Sequence, residues 1–449
     1  MCADFDPMGE YKARTKESAK LFEKAKQRLP GGVTGNVKFY PPYPVYAKKA
    51  KGGYIWDPDG NRYIDYMLCF GPLILGHGHP KVIQAVKDQL DRDGTTIFGP
   101  PHELEYKMAE RLGRIFPAGE QTRFTNSGLE ATMHALRVAK GFTKRHRIAK
   151  FEGHYHGCYD EALVSLTPSV ESGGPEAAPQ AVSCSLGTSE FTLGSVQVLP
   201  FNDIEGTVGI IKAHKRDLAA VIMEPVQRGF IPSDPEFLRI VREVTEELGI
   251  VLVFDEVMSG FRMDIIGGAH TVMGVKPDLI CLGKIIGGGF ACGAFLGRRD
   301  IMDIVNPVTR PKDDRVFHGG TFNGHPTALA AGMATLDELE KEDTYPKLAR
   351  VTNRLRDGFN DLFQRLGWNA QAVGPGSTFN IVFTKDRISD YRDALKADQK
   401  TRMLLDYGML ARGIHFHPDK PFYTCTEHTM ADVDETLRVA EEVLKKIRA

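Results

Sequence analysis

The sequence predicts an α/β protein, with a large domain on a mostly parallel sheet covered by helices and a smaller α+β C-terminal domain. Apolar runs of strand length recur through the middle of the chain, at 218–224 (LAAVIME), 250–255 (IVLVFD), 278–283 (DLICLG) and 291–297 (ACGAFLG). Such near-continuous apolar strands belong to sheets buried on both faces. Helical stretches such as PEFLRIVREVTEEL, 235–248, lie between several of them. From about residue 327 the composition shifts to long helical patterns with a few strands, such as TFNIVF at 378–383. The expected organisation is an N-terminal segment, 1–65, docking with the small domain, a large domain, 66–326, and a small domain, 327–449.

Taken in order, the polar first 30 residues read as an amphipathic helix without an apolar signal core, so a cytoplasmic location is expected. TRFTN, 122–126, reads as a strand, and Ser127 opens a helix with Glu130 three residues on, a capping-box pattern. Ala131, Ala135, Val138, Ala139 and Phe142 share one face of that helix. RIAKF, 147–151, is the next strand, and residues 167–190, rich in Pro, Gly, Ser and Ala, form a long loop of the kind that often carries function.

The 449 residues are 42% hydrophobic and 26% charged with a net charge of −1, which gives no electrostatic case for nucleic acid or an anionic membrane. No apolar run approaches the ~18 residues of a membrane span. The seven cysteines, Cys2, Cys69, Cys158, Cys184, Cys281, Cys292 and Cys425, are scattered and form no CxxC pair, as expected of reduced thiols. His154 and His156 in GHYHG are too few for a zinc site, and no metal is expected.

Three strand ends bring chemistry together. Lys284 lies between an apolar run and three glycines; a lysine there can snorkel to water, but apolar flanks disfavour its ammonium and free an amine for Schiff-base formation. Asp255 follows apolar residues and can either cap a turn or pair with a buried cation such as a pyridinium nitrogen. Ser127 and Gly128 stand at a helix start, which can be a simple cap or a phosphate site. HGGTFNGHP, 318–326, is a second loop of glycine and threonine, and Tyr155 offers a flat face. Together these pieces describe a site for pyridoxal phosphate.

The motifs FTNSGLEATMHALRVAK, KFEGHYHG, EPV, VFDEVMSGFR, PDLICLGKIIGGG and GGTFNGHPTALAAG resemble, in order, those of the class III (fold type I) pyridoxal-phosphate aminotransferases, most closely the branch containing glutamate-1-semialdehyde aminomutase. The resemblance implies that Lys284 is the Schiff-base lysine and Asp255 the partner of the ring nitrogen. It places Val257 and Tyr155 on the two ring faces, Ser127 and Gly128 on the phosphate, and Glu224 along the site. Thr321 would reach the phosphate of the other subunit of a homodimer. Three positions depart from the pattern. Leu129 replaces a threonine beside the phosphate, Lys38 stands where the aminomutase pattern has a carboxylate-binding arginine, and Arg228 stands where small residues are usual. Arg228, then Arg412, are the candidate replacements for that arginine. The expected activity is ping-pong amino transfer between an amino donor and a carbonyl acceptor, with the aminomutase reaction as the alternative. A regulatory module on an inactive scaffold is disfavoured by the presence of Lys284 and Asp255. A dinucleotide dehydrogenase is disfavoured because neither LGHGHP nor KIIGGG is a GxGxxG at a first βα turn.

Overall fold

In a computed structural model, which describes residues 5–448, seven strands form the central sheet: β1 (Gln121–Thr125), β2 (Arg147–Phe151), β3 (Val196–Leu199), β4 (Leu218–Met223), β5 (Val251–Asp255), β6 (Leu279–Leu282) and β7 (Gly293–Gly297). Their order is β1-β7-β6-β5-β4-β2-β3. The pairs from β6 across to β3 are parallel, and β7 runs antiparallel to both β6 and β1. Every residue of β4, β5, β6 and β7 is buried, as their unbroken apolar sequences require. β3 is missing from the sequence reading because four residues at a sheet edge carry too little pattern to stand out.

Helix α1 (Gly128–Thr143) crosses one face of the sheet, with Ala131, Ala135, Leu136, Val138 and Ala139 packed in one cluster with Ile222, Leu279 and Phe295. Phe142 does not join them: it is 37% exposed in the last turn of the helix. Ser127 accepts from the Glu130 N–H at 3.2 Å, and Glu130 reaches back to the Asn126 N–H at 2.8 Å, a capping box displaced by one residue. Helix α2 (Pro235–Glu247) starts at Asp234 with proline in its first turn and buries Phe237, Leu238, Val241 and Val244.

Helix α3 (Pro326–Leu339) is buried almost throughout and packs on the turn after β6. A Cβ on Gly332 would collide with the Ile286 carbonyl, and one on Gly288 would lie 2.5 Å from that of Ala331, so backbone meets backbone there. This contact keeps α3 with the sheet. The large unit accordingly runs Lys81–Lys341 and takes in Ile388–Leu395. The boundaries therefore differ from the expected 65/66 and 326/327.

The smaller unit contains the residues up to Pro80, Glu342–Arg387, and those from Lys396 on. Its N-terminus is two helices, Pro7–Arg14 and Lys16–Lys26, rather than one. Strand Arg62–Asp65 pairs in parallel with Ile414–His415, and Gly52 exchanges both backbone bonds with His77 at 2.9 and 2.7 Å, which holds residues beyond 65 in this unit. Its core is aromatic, with Phe359, Phe363, Phe379, Phe383, Phe416 and Phe422 packed under helices Thr344–Arg365 and Met430–Arg448. The six described cysteines are free thiols; Cys2 lies outside the described residues.

Candidate active site

The carboxyl ends of β4, β5 and β6 and the start of α1 converge. A Cβ on Gly128 would come within 2.7 Å of the Val257 methyls, and one on Gly283 would lie 3.1 Å from the Gly128 Cα and 3.3 Å from Val257. Only glycine at 128 and 283 lets the helix start, the β5 end and the β6 end touch. The result is a glycine-floored cradle at a helix N-terminus, with backbone N–H groups of the first turn at its rim.

Lys284 follows Gly283 past the end of β6 on strained backbone, with φ +51°, in the left-handed region that side chains other than glycine rarely adopt. It is partly buried, flanked by the buried Ile285 and Ile286. Asp255 closes β5. Its Oδ1 accepts from the Val257 N–H at 3.0 Å, and its Oδ2 lies 2.8 Å from His156 Nδ1. His156 is buried, which lowers its own affinity for a proton, and its Nε2 finds no partner among the described residues. Thr132 of α1 donates to the His156 carbonyl at 2.6 Å, and Leu129 packs against Gly157, so the first turns of α1 support the histidine that grips Asp255.

Glu224 follows β4 and is also buried. Its N–H donates to His154 Nδ1 at 2.9 Å, and its Oε2 accepts from the Tyr155 N–H at 2.9 Å. Burial, with the nearby charge of Asp255, pushes its carboxyl up to about 8. Tyr155 itself is 45% exposed. Asn126, just before Ser127, donates to Asn323 Oδ1 at 3.1 Å, which ties the 318–326 loop to the helix start and leaves Thr321 exposed.

Of the predicted residues on the large unit, Gly128 meets Val257 and Tyr155 meets Glu224, while Thr321 lies on the surface in the loop tied to Asn126. The three carboxylate-binding candidates fare differently. Arg228 spends its donors on the Gly153 and Leu166 carbonyls at 3.0 and 2.8 Å. Arg412 is held by Glu10 at 2.6 Å and Glu442 at 3.0 Å. Carboxylates take up the Arg412 fork, and two of the Arg228 donors, on Nε and Nη2, go to backbone carbonyls. Lys38 is exposed and donates to Thr34 Oγ1 at 2.9 Å. The sequence reading missed His156, having weighed it only as a metal ligand. Its signal, GHYHG directly after a strand, marks a turn at the sheet's carboxyl end.

Residues 37–435 match the sequence profile of the family described as aminotransferase class-III. The chain belongs to the class III aminotransferase family. It is 41% identical to a glutamate-1-semialdehyde 2,1-aminomutase of Thermodesulfovibrio yellowstonii over 97% of this chain and all of that protein. Among solved structures it is similar to an omega-transaminase from Sphaerobacter thermophilus, at 38% identity and a TM-score of 0.91 over 96% of this chain and 98% of the other. It is also similar to a beta-phenylalanine aminotransferase from Variovorax paradoxus, at 31% identity and a TM-score of 0.87 over 98% and 97% of the two chains. As a class III enzyme the chain takes pyridoxal 5′-phosphate, and the cradle fits it, with an amine on one strand end, a histidine-held carboxylate on another, and a glycine-floored helix start for the phosphate. No helix among the described residues is long and apolar enough to cross a membrane.

Proposed function

We propose that this enzyme exchanges an amino and a carbonyl group within one small substrate, a reaction of the glutamate-1-semialdehyde 2,1-aminomutase type. The observation that carries this reading is the end-to-end 41% identity with a relative of that name, which spans 97% of this chain. When bound, pyridoxal phosphate supplies an aldehyde that condenses with amines and a ring that accepts an electron pair. Lys284 would hold its aldehyde carbon, and Asp255, kept in place by His156, its ring nitrogen. Val257 and Tyr155 would flank the ring, Ser127 and Gly128 would take the phosphate, and Leu129 would back them without adding a hydroxyl.

Lys284 Nζ would move a proton to and from the substrate carbon as general acid and base. Asp255 would face the ring nitrogen, and burial pushes the nearby Glu224 carboxyl up to about 8. The enzyme would act as a homodimer in which Thr321, exposed on this chain, completes the phosphate site of the other subunit. The free thiols of the six described cysteines suit a reducing cytoplasm.

One observation favours a second reading. A lysine stands at 38 in place of the aminomutase arginine, and a transaminase is 38% identical with a TM-score of 0.91. On that reading an amino donor leaves its nitrogen on the enzyme until a carbonyl acceptor arrives. Single-turnover experiments separate the two. Amino-loaded enzyme given glutamate-1-semialdehyde alone is expected to isomerise it with no acceptor present. Enzyme that fails to do so, yet passes its amino group to an added keto acid or aldehyde, is a two-substrate aminotransferase.

A further inference from the structure

Glu152, Arg228, Tyr391 and Arg392 form a buried cluster that amino exchange does not use directly. The chain leaves the smaller unit at Arg387 and returns to it at Lys396, and the residues between, Ile388–Leu395, belong to the large unit. Arg392, in this strap, forks onto Glu152, with Nε to Oε2 at 2.6 Å and Nη2 to Oε1 at 2.9 Å. Its remaining donors reach the Gly174 and Gly173 carbonyls at 2.8 and 3.1 Å. The Tyr391 hydroxyl donates to the Pro168 carbonyl at 3.0 Å, and its ring carries the Arg228 guanidinium 4.8 Å from the centroid. Tyr391 also presses on Gly153, where an added Cβ would lie 2.5 Å away.

Glu152 and Gly153 begin the turn after β2 that carries Tyr155 and His156. Their carbonyls are taken by Gln227 at 2.7 Å and Arg228 at 3.0 Å, and the Glu152 carboxylate by Arg392. Two and three residues on, the Tyr155 N–H meets Glu224 and the His156 ring meets Asp255. A bidentate ion pair fixes direction as well as distance. We infer that the strap Ile388–Leu395 is a positioning device: through Arg392 on Glu152, and through Tyr391 behind Arg228, it locks the turn that presents Tyr155 and His156 to the cofactor site. Its consequence for turnover rests on the function proposed above; the locking itself does not.

The test uses Arg392→Lys, which keeps a charge but loses the fork, and Glu152→Gln, which keeps the shape but loses the charge. Hydrogen exchange is read on full-length protein freed of cofactor. Amides of 152–157 and 166–174 are expected to exchange about 10-fold faster in either variant while β4 and β5 keep their protection, since local opening need not involve the core. Reloaded variants should show an altered visible circular dichroism band and a fall in kcat of about 10- to 100-fold, the scale of a small misplacement. Unchanged protection of 152–157 overturns the inference. So does equal loss of protection across β4 and β5, because the pair would then hold the whole unit and not the turn. A wild type that binds no pyridoxal phosphate would sink the proposed function and leave the exchange result standing.

Discussion

Two buried aspartates, Asp255 in the large unit and Asp65 in the smaller one, look alike in sequence and differ in use. Each ends a strand, each accepts from the backbone N–H two residues on, and each is gripped by histidine. Asp65 receives four donors: the Met67 and Leu68 N–H groups at 2.9 and 3.3 Å, His415 at 2.8 Å and His77 at 2.7 Å. Asp255 receives two, from Val257 and His156. A carboxylate has roughly four lone-pair sites, so Asp65 is saturated by its own unit and Asp255 keeps room for a ligand cation. Electrostatics differ in step. Burial pushes the Asp65 carboxyl up, but the bonds from His415 and His77 outweigh it and hold the group well below the usual carboxylate range. At the other site the strain falls on the neighbour, where Asp255 helps raise Glu224 to about 8. Saturation leaves Asp65 no room for a further donor, whereas Asp255 keeps lone-pair sites open.

The sharpest contrast comes from the groups around each aspartate. Lys284→Ala is expected to abolish the visible absorbance of lysine-linked cofactor and to cost about 10²- to 10⁴-fold in turnover, the range of a lost acid–base group. His77→Ala should leave that absorbance intact. Borohydride reduction of wild-type enzyme with peptide mapping checks the assignment, and a label on any lysine other than 284 breaks it.

Next in size is the exchange of the aspartates themselves. Asp255→Asn should fold with little change in melting temperature and lose about 10²- to 10³-fold in turnover, the effect of one preorganised charge in a dry site. Asp65→Asn should do the reverse, keeping turnover per folded molecule while losing about 3 kcal/mol of stability, as when a buried pair loses one partner. Two variants that lost activity and stability in the same proportion would erase the distinction.

The smallest effect is on pH dependence. Asp65, lowered in the folded state, contributes stability above its ordinary value of 3.8 that is lost as pH falls. Asp65→Asn should therefore flatten the acid limb of the stability curve. Glu224, raised to about 8, contributes stability that is complete below its ordinary 4.5 and is lost as pH rises through 8. Glu224→Gln should reduce the loss between those values in cofactor-free protein. Melting temperatures from pH 3 to 9 decide, and parallel curves for wild type and both variants would contradict the opposite shifts.

The sheet was legible because burial on both faces writes a strand as an unbroken apolar run, as in 250–255 and 278–283. The helix start at Ser127 was legible because capping is local chemistry. The edge strand Val196–Leu199 was not, and neither was the return of Ile388–Leu395 to the large unit, since no local pattern records which distant surface a strap meets. The engagement of the candidate arginines was the least legible. Arg228 and Arg412 are ordinary charged residues in sequence, and their partners lie at Gly153 and Leu166, and at Glu10 and Glu442.

The sequence by itself determined the α/β class, the strand ends that carry Asp255 and Lys284, and the helix start at Ser127 and Gly128. Each of these follows from periodicity or from local capping chemistry. Only the tertiary structure decided that His156 grips Asp255, that Asp65 is saturated while Asp255 is not, and that two arginines are already engaged. A hydrogen-bonding group finds its partner through space, and the chain brings together residues as far apart as 156 and 255, or 152 and 392, only once the sheet and the strap are in place.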